Sequence, residues 1–188
     1  TSITNSNGVT LNVNAAALAN NTVLTLVGSS VEVVTGLIGN ITASALTGAL
    51  TVTTGNATDN SIAIITGSAA TSITASGASD VVTVTATALA QNTALTLIGS
   101  AAETVTGLVG DIAADALTGT LTVTTGNASD NGIGITTGSA ATSITAITSP
   151  CDTREPRCTF ISRTMPAAVD GTSIVALSDS SVTSASSA

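Results

Sequence analysis

The carboxylates are the residues of this chain whose type and setting suggest chemistry, and the chemistry is that of hard-oxygen ligands. Asp80 stands in the run SASGASDVVTV, two residues before Val82. That spacing fits the Gly-rich calcium-binding nonapeptide GGxGxDxUx, whose Asp and backbone carbonyls supply the oxygens the ion prefers, but Ser76 and Ala78 occupy its glycine places. Asp59 in GNATDN and Asp130 in GNASDN recur at matching places but lack the large apolar residue two positions on. Asp59, Asp80 and Asp130 are therefore the candidate metal ligands, and Ca²⁺ is the one cofactor the sequence suggests. The competing reading is that Asn and Asp simply cap and tighten turns. A Ca²⁺ site takes six or more oxygens, so one carboxylate per loop leaves carbonyls and water to complete it.

Other chemistries are poorly supplied. The chain has 188 residues with 11 acidic and 3 basic side chains and no His, Tyr or Trp. Its basic residues are Arg154, Arg157 and Arg163, all near the C-terminal end. Before residue 147 the acids are Glu32, Glu103 and five scattered Asp residues, whereas a polysaccharide-cleaving site needs clustered carboxylates with a base or a metal. Asp111 and Asp115 lie four apart, but Asn40 and Ser44 stand at the matching places earlier in the chain, so no active site repeats. The chain is expected not to be an enzyme. The run GIGITTG (132–138) misses the dinucleotide pattern GxGxxG by one position and precedes no helix. Cys151 and Cys158 either close a small disulfide loop in an oxidising compartment or remain free thiols. Two cysteines without His do not make a zinc site. The formal glycosylation sequons NIT (40–42), NAT (56–58) and NAS (127–129) arise readily in an Asn- and Thr-rich chain.

Charge narrows the partners. A net charge of −8 repels nucleic-acid phosphates and anionic headgroups. No run of about 18 apolar residues is present, and a single Phe cannot form the aromatic girdles of a membrane barrel, so neither nucleic acid nor membrane insertion is expected. Mean hydropathy is +0.55, far from the polar, highly charged composition of disordered chains.

What must position these residues is a repeat. The stretch 22–75 aligns without gaps on 93–146, a shift of 93 − 22 = 71 positions, with 40 of 54 positions identical. LTLVGS becomes LTLIGS, LTVTTGNATDN becomes LTVTTGNASDN, and TGSAATSITA returns unchanged. The stretch 1–22 matches 71–93 with one residue fewer in the loop, so the chain begins inside the pattern and reads as cut from a longer array. The register fails after Ala146. All the prolines, cysteines and arginines, the Phe and the Met fall between 150 and 166, and a Ser-rich stretch with one candidate strand near 172–177 follows. The organisation expected is a repeat region over 1–146, in copies 5–75 and 76–146, followed by 147–188 as a linker, junction or non-native tail of low order.

Within a copy, short alternating runs rich in β-branched residues read as strands: DVVTVTA (80–86), LTLIG (95–99), ETVTG (103–107), GDIAA (110–114), LTVTTG (121–126), IGITTG (133–138) and TSITA (142–146). They start about every 10 residues, with Gly, Asn, Asp or Ser between them. AAALANN (15–21) and ATALAQN (86–92) are the best helical candidates and are too short to persist alone. An antiparallel sandwich repeat usually runs to about 100 residues around aromatic anchors, and 1–149 contains no aromatic residue. A parallel β-solenoid, whether β-helix or β-roll, removes that difficulty by stacking small aliphatic residues on their counterparts one coil away. The fold expected is therefore all-β, a parallel β-solenoid of 71-residue repeats with an irregular C-terminal tail. With about 18 to 24 residues per coil, each copy supplies three or four coils.

The runs VTGLVGDIAADALTGTLTVTTGNASDN and ASGASDVVTVTATALAQNTALTLIGSAAETVTG resemble the Thr- and Ala-rich "beta strand repeat" segments of very large secreted bacterial surface proteins, often adhesin-like and related to RTX proteins. The likeness covers about 1–146. It implies export to the extracellular space or bacterial cell surface and a structural stalk that extends or presents a binding region. Neighbouring repeats of the same chain are the implied partners, together with surface glycans or other cells. A calcium-binding RTX-like module is the alternative function. An ice-binding or carbohydrate-active β-helix is a further one: the pairs Thr51/Thr53, Thr83/Thr85, Thr104/Thr106 and Thr122/Thr124 resemble the threonine ranks of ice-binding solenoids, but their sequence gaps of 32, 21 and 18 show no unbroken rank.

Overall fold

The computed structural model describes residues 1–57, 61–126 and 132–145, together with the backbone of two later strands, Ser162–Met165 and Ile174–Leu177. Strands are numbered in chain order, and they alternate between two parallel sheets. The front sheet stacks β1 (Ser2–Asn5), β3 (Val23–Gly28), β5 (Asn40–Leu46), β7 (Ser61–Ile65), β9 (Val81–Thr85), β11 (Ala102–Leu108), β13 (Leu121–Thr125) and β15 (Thr142–Thr145). The back sheet stacks β2 (Leu11–Asn14), β4 (Glu32–Leu37), β6 (Leu50–Thr54), β8 (Thr71–Ala75), β10 (Ala94–Gly99), β12 (Asp111–Ala114) and β14 (Ile133–Thr137). One coil is one front strand plus one back strand. The chain is an all-β, parallel β-solenoid.

Registers set the coil length. Leu24 pairs with Ile41 and Thr71 with Leu95, so the advance per coil ranges from 41 − 24 = 17 to 95 − 71 = 24 positions. The variation is absorbed in turns, which lets the strands keep their register. Turns also explain the two helical candidates. At 15–21 and 86–92 the chain makes consecutive tight turns, with Leu18 N–H donating to Ala15 O and Thr93 N–H to Ala90 O. Each ends on an Asn with positive φ, Asn21 at 60° and Asn92 at 57°, a conformation Asn tolerates better than most residues.

A single buried cluster fills the space between the sheets. Alternation along each strand turns one set of residues inward, and parallel pairing then stacks like on like. On the front sheet Leu24, Ile41, Ile64, Val84, Val105, Val123 and Ile144 form one continuous aliphatic ladder. On the back sheet Val13, Val34, Val52, Ile73 and Leu97 form another. Burying a Val, Leu or Ile side chain contributes about 1.5–3 kcal/mol, and because every rung adds such residues, no aromatic anchor is required.

Copies of the repeat do not lie on the same face. β3 and β10 are equivalent in sequence, yet β3 is a front strand and β10 a back strand. From β3 to β10 the chain advances 10 − 3 = 7 strands, which is three and a half coils. Successive copies are thus related by a half-turn about the solenoid axis. After residue 147 two strands are described: β16 (Ser162–Met165) pairs antiparallel with β15, and β17 (Ile174–Leu177) pairs antiparallel with β14. The second falls inside the stretch expected to hold a strand.

Candidate functional site

Two further inward ladders contain an acid where an aliphatic residue belongs. On the back sheet the stack runs Leu11, Glu32, Leu50, Thr71, Leu95 and Ile112. On the front sheet it runs Ile62, Val82, Glu103, Leu121 and Thr142. Glu32 and Glu103 are equivalent positions of the two copies and so lie on opposite sheets. Glu32 is 0% and Glu103 2% exposed, and none of their four carboxylate oxygens meets a hydrogen-bond partner. By contrast, the buried hydroxyls in the same ladders are satisfied locally, Thr71 by Ala69 O and Thr142 by Ala140 O, both at 3.4 Å.

Burial without a partner disfavours the charged form. It pushes the Glu103 carboxyl up to about 8. The Glu32 carboxyl is also raised by burial, and the nearby Asn5 side chain works against that rise without reaching hydrogen-bond geometry with either oxygen. The Asn5 amide instead donates to Val9 O at 2.9 Å.

Asp80 is the one calcium candidate placed among the described residues. It is wholly buried, on the inward side of the turn that leads into β9. Its N–H donates to Gly77 O at 2.9 Å, and its carbonyl accepts from Ala102 N at 3.2 Å. Both carboxylate oxygens lack a partner. The carboxylate lies over Gly77, where a Cβ would run into its Oδ2 and push it aside. Since Val81 pairs with Ala102 and Val82 with Glu103, Asp80 and Glu103 start one diagonal step apart on adjacent rungs, about 7–8 Å at the backbone. Asp59, Asp130, Cys151 and Cys158 lie outside the described residues. Among the described residues no three Cys, Asp or Glu side chains gather within reach of a common ion.

Sequence reasoning misses Glu32 and Glu103 as site residues, although the signal is present. In ETVTG, alternation puts Glu103 on the side of Val105 and opposite to Thr104 and Thr106, so the strand itself predicts an inward acid. Asp111 has a structural task. Its Oδ1 accepts from Gly134 N at 2.7 Å, just as Asn40 Oδ1 accepts from Ala63 N at 2.8 Å, each tying one coil to the next.

Comparison with protein-family models, with curated proteins and with solved structures finds no match. The outer surface therefore has to be read from its own geometry. The pairs Thr83/Thr85, Thr104/Thr106 and Thr122/Thr124, separated in sequence, stack in register on the front sheet as Thr83–Thr104–Thr122 and Thr85–Thr106–Thr124. Ser143 and Thr145 of β15 continue both ranks. Thr51 and Thr53 belong to the back sheet, where they stack on Ser72 and Thr74. The outward residues of β9, β11, β13 and β15 include no charged side chain.

Proposed function

We propose that this chain is a structural spacer, a stalk segment of a secreted bacterial surface protein that extends or presents a binding region elsewhere in its parent. The observation that supports this best is the odd number of strands per copy within uninterrupted ladders. Each added copy continues both sheets and the core without closing a globule. The rod grows about 4.8 Å per coil, so a 71-residue copy adds about 3.5 × 4.8 ≈ 17 Å. Pairing each backbone group with the next coil makes such a rod stiff, and short side chains lose little entropy when the surface is ordered. The absence of Lys and Arg before Arg154 leaves trypsin-like proteases no cleavage site there.

Small-angle scattering on chains carrying two, four and six tandem copies tests this reading. A length increment of about 17 Å per copy at constant cross-section is the expected result. Compact beads whose cross-section grows, or a flexible coil, would remove the stalk.

The in-register threonine ranks favour a second reading, ordering of water or ice at the front sheet. Rows about 4.8 Å apart with hydroxyls about 6.6 Å apart along each strand present a flat, uncharged lattice. Thermal hysteresis lost on Thr104→Lys, with the melting temperature kept, would support it.

A further inference from the structure

We propose that β16 and β17 are a removable cap on the last rung of the solenoid, and that the edge they cover docks the first coils of a second copy of this chain. Every interior strand has a parallel neighbour on each side, so β14 and β15 would each be left with one row of unpaired N–H and C=O groups. β17 and β16 fill those two rows, and they run antiparallel. A strand of reversed direction pairs with the rung below it but cannot be followed by another coil of the same kind, so the ladders end there. The new outer edge is blunted as well. Both strands are four residues long, β16 carries Arg163, and Pro166 follows it directly in the sequence.

The repeat itself identifies what the covered edge fits. β14 is the counterpart of β7 and β2 that of β9, and β7 and β9 pair in parallel with Ile62 on Val82 and Ile64 on Val84. The same register sets Leu11 and Val13 of a second copy on Ile133 and Ile135, two of the four positions that β17 holds. Leu11 and Val13 are only partly buried, whereas their counterparts Val82 and Val84 are 0% exposed, so the first rung has aliphatic surface left to cover. On the other sheet β15 repeats the sequence of β1, TSIT at 142–145 and at 1–4. It can therefore take on β3 of the second copy the place β1 holds there, with Ile144 on Leu26 where Ile3 now lies. The joint is a strand exchange between identical segments. From β1 to β15 the chain advances 15 − 1 = 14 strands, or seven coils, so each docked copy lengthens the rod by about 34 Å. This inference stands apart from the stalk reading, which concerns copies within one chain and is tested by their length.

The test is sedimentation velocity on the 188-residue chain and on a variant carrying both Val175→Pro and Ala176→Pro. Successive amides of a strand point to opposite edges, so one of the two prolines removes a bond to β14, and both lie outside the repeat. The unaltered chain is expected to stay monomeric. The variant's weight-average mass is expected to rise about twofold or more between about 10 µM and about 1 mM, and small-angle scattering to show rods that lengthen by about 34 Å per added copy. A synthetic peptide of residues 171–179, GTSIVALSD, is expected to reverse the association. Amide hydrogen exchange on the unaltered protein supplies a readout that does not depend on the variant folding. Consecutive amides at 133–136 and 142–145 are expected to be protected, whereas uncapped edges would leave alternate ones open. The proposal is overturned by alternate amides of β14 and β15 exchanging at solvent rates, by a variant that keeps its far-ultraviolet circular dichroism and stays monomeric, or by association that the peptide leaves unchanged.

Discussion

Glu103 makes stability depend on pH in a direction opposite to that of most acidic proteins. Its carboxyl titrates near 8 in the fold and at 4.5 in an unperturbed chain. The folded state therefore binds the proton more tightly, and stability falls as pH rises wherever the folded state holds more protons. Below pH about 4.5 both states are protonated and the full stability is present. Between 4.5 and 8 it is lost progressively, and above 8 the loss is complete. The shift of about 3.5 units corresponds to about 5 kcal/mol, a large part of the 5–15 kcal/mol typical of a domain. By pH 7 about 2.5 of those units, or about 3 kcal/mol, have been lost. Urea unfolding followed by far-ultraviolet circular dichroism, from pH 4 to pH 9.5 in chelator, measures this. Glu103→Gln cannot titrate and keeps Glu32, so the difference between the two proteins isolates Glu103. That difference is expected to change by several kcal/mol across pH 5–8 in favour of the variant and to level off on either side. Parallel profiles for the two proteins would show that the carboxylate reaches solvent or a donor when ionised, and would refute the reasoning.

Three other outcomes follow from the ladders. Glu32→Leu and Glu103→Leu restore unbroken aliphatic stacks between Leu11 and Leu50 and between Val82 and Leu121, so in chelator at pH 8 each is expected to raise the urea midpoint, by an amount equivalent to about 1–4 kcal/mol. Ile64→Ala opens a cavity in the front ladder and is expected to cost about 2–5 kcal/mol by the same measurement, whereas Thr83→Ala on the outer face should stay within about 0.5 kcal/mol. Gly119 packs against the Ala101 carbonyl so closely that a Cβ would overlap it, so Gly119→Ala is expected to lower the midpoint by the equivalent of about 1–3 kcal/mol and to speed amide exchange around 116–120.

Most of the architecture can be read from the sequence because two of its signals are local. Alternation in runs such as LTLIG, ETVTG and IGITTG marks strands, and these are β10, β11 and β14. The lack of aromatic residues over 1–149 in a chain this apolar argues for stacking instead of a sandwich, and the two parallel sheets agree. Less of the candidate site is legible. Asp80 stands out through its resemblance to a loop pattern, but Glu103 shows as an inward acid only once its strand is recognised, and its neighbours on the adjacent rungs, Val82 and Leu121, are set by register. Register depends on the lengths of turns, and these vary between coils, so counting along the chain does not recover it. The turns at 15–21 and 86–92 illustrate a related limit. Their composition favours helix, but each segment is tied into the ladder at once, with Ala15 N–H donating to Thr35 O and Ala90 N–H to Ser68 O.

The same dependence on register explains the threonine ranks. Along the sequence the gaps between successive Thr-x-Thr pairs are 32, 21 and 18, and no constant period would align them. In space the first gap crosses from the back sheet to the front, while each of the other two is a single front-sheet coil. That change of sheet is an advance of three strands, from β6 to β9, and the seven-strand repeat has the same effect on equivalent residues, because both numbers are odd. An outward residue of one copy reappears on the opposite face in the next, so a continuous rank has to combine strands that are not equivalent in the repeat. The rank on the front sheet does this: β9, whose counterpart is the Asn-bearing β2, is followed by β11, β13 and β15, which are counterparts of β4, β6 and β8. Thr35, Thr51, Thr53, Ser72 and Thr74 of those earlier strands give the back sheet a matching but less regular set, interrupted by Val33. A longer array built on this unit would carry the same outward residues alternately front and back every three and a half coils. It would offer two faces of equal composition, and a partner able to bind one of them would find the other equally suited.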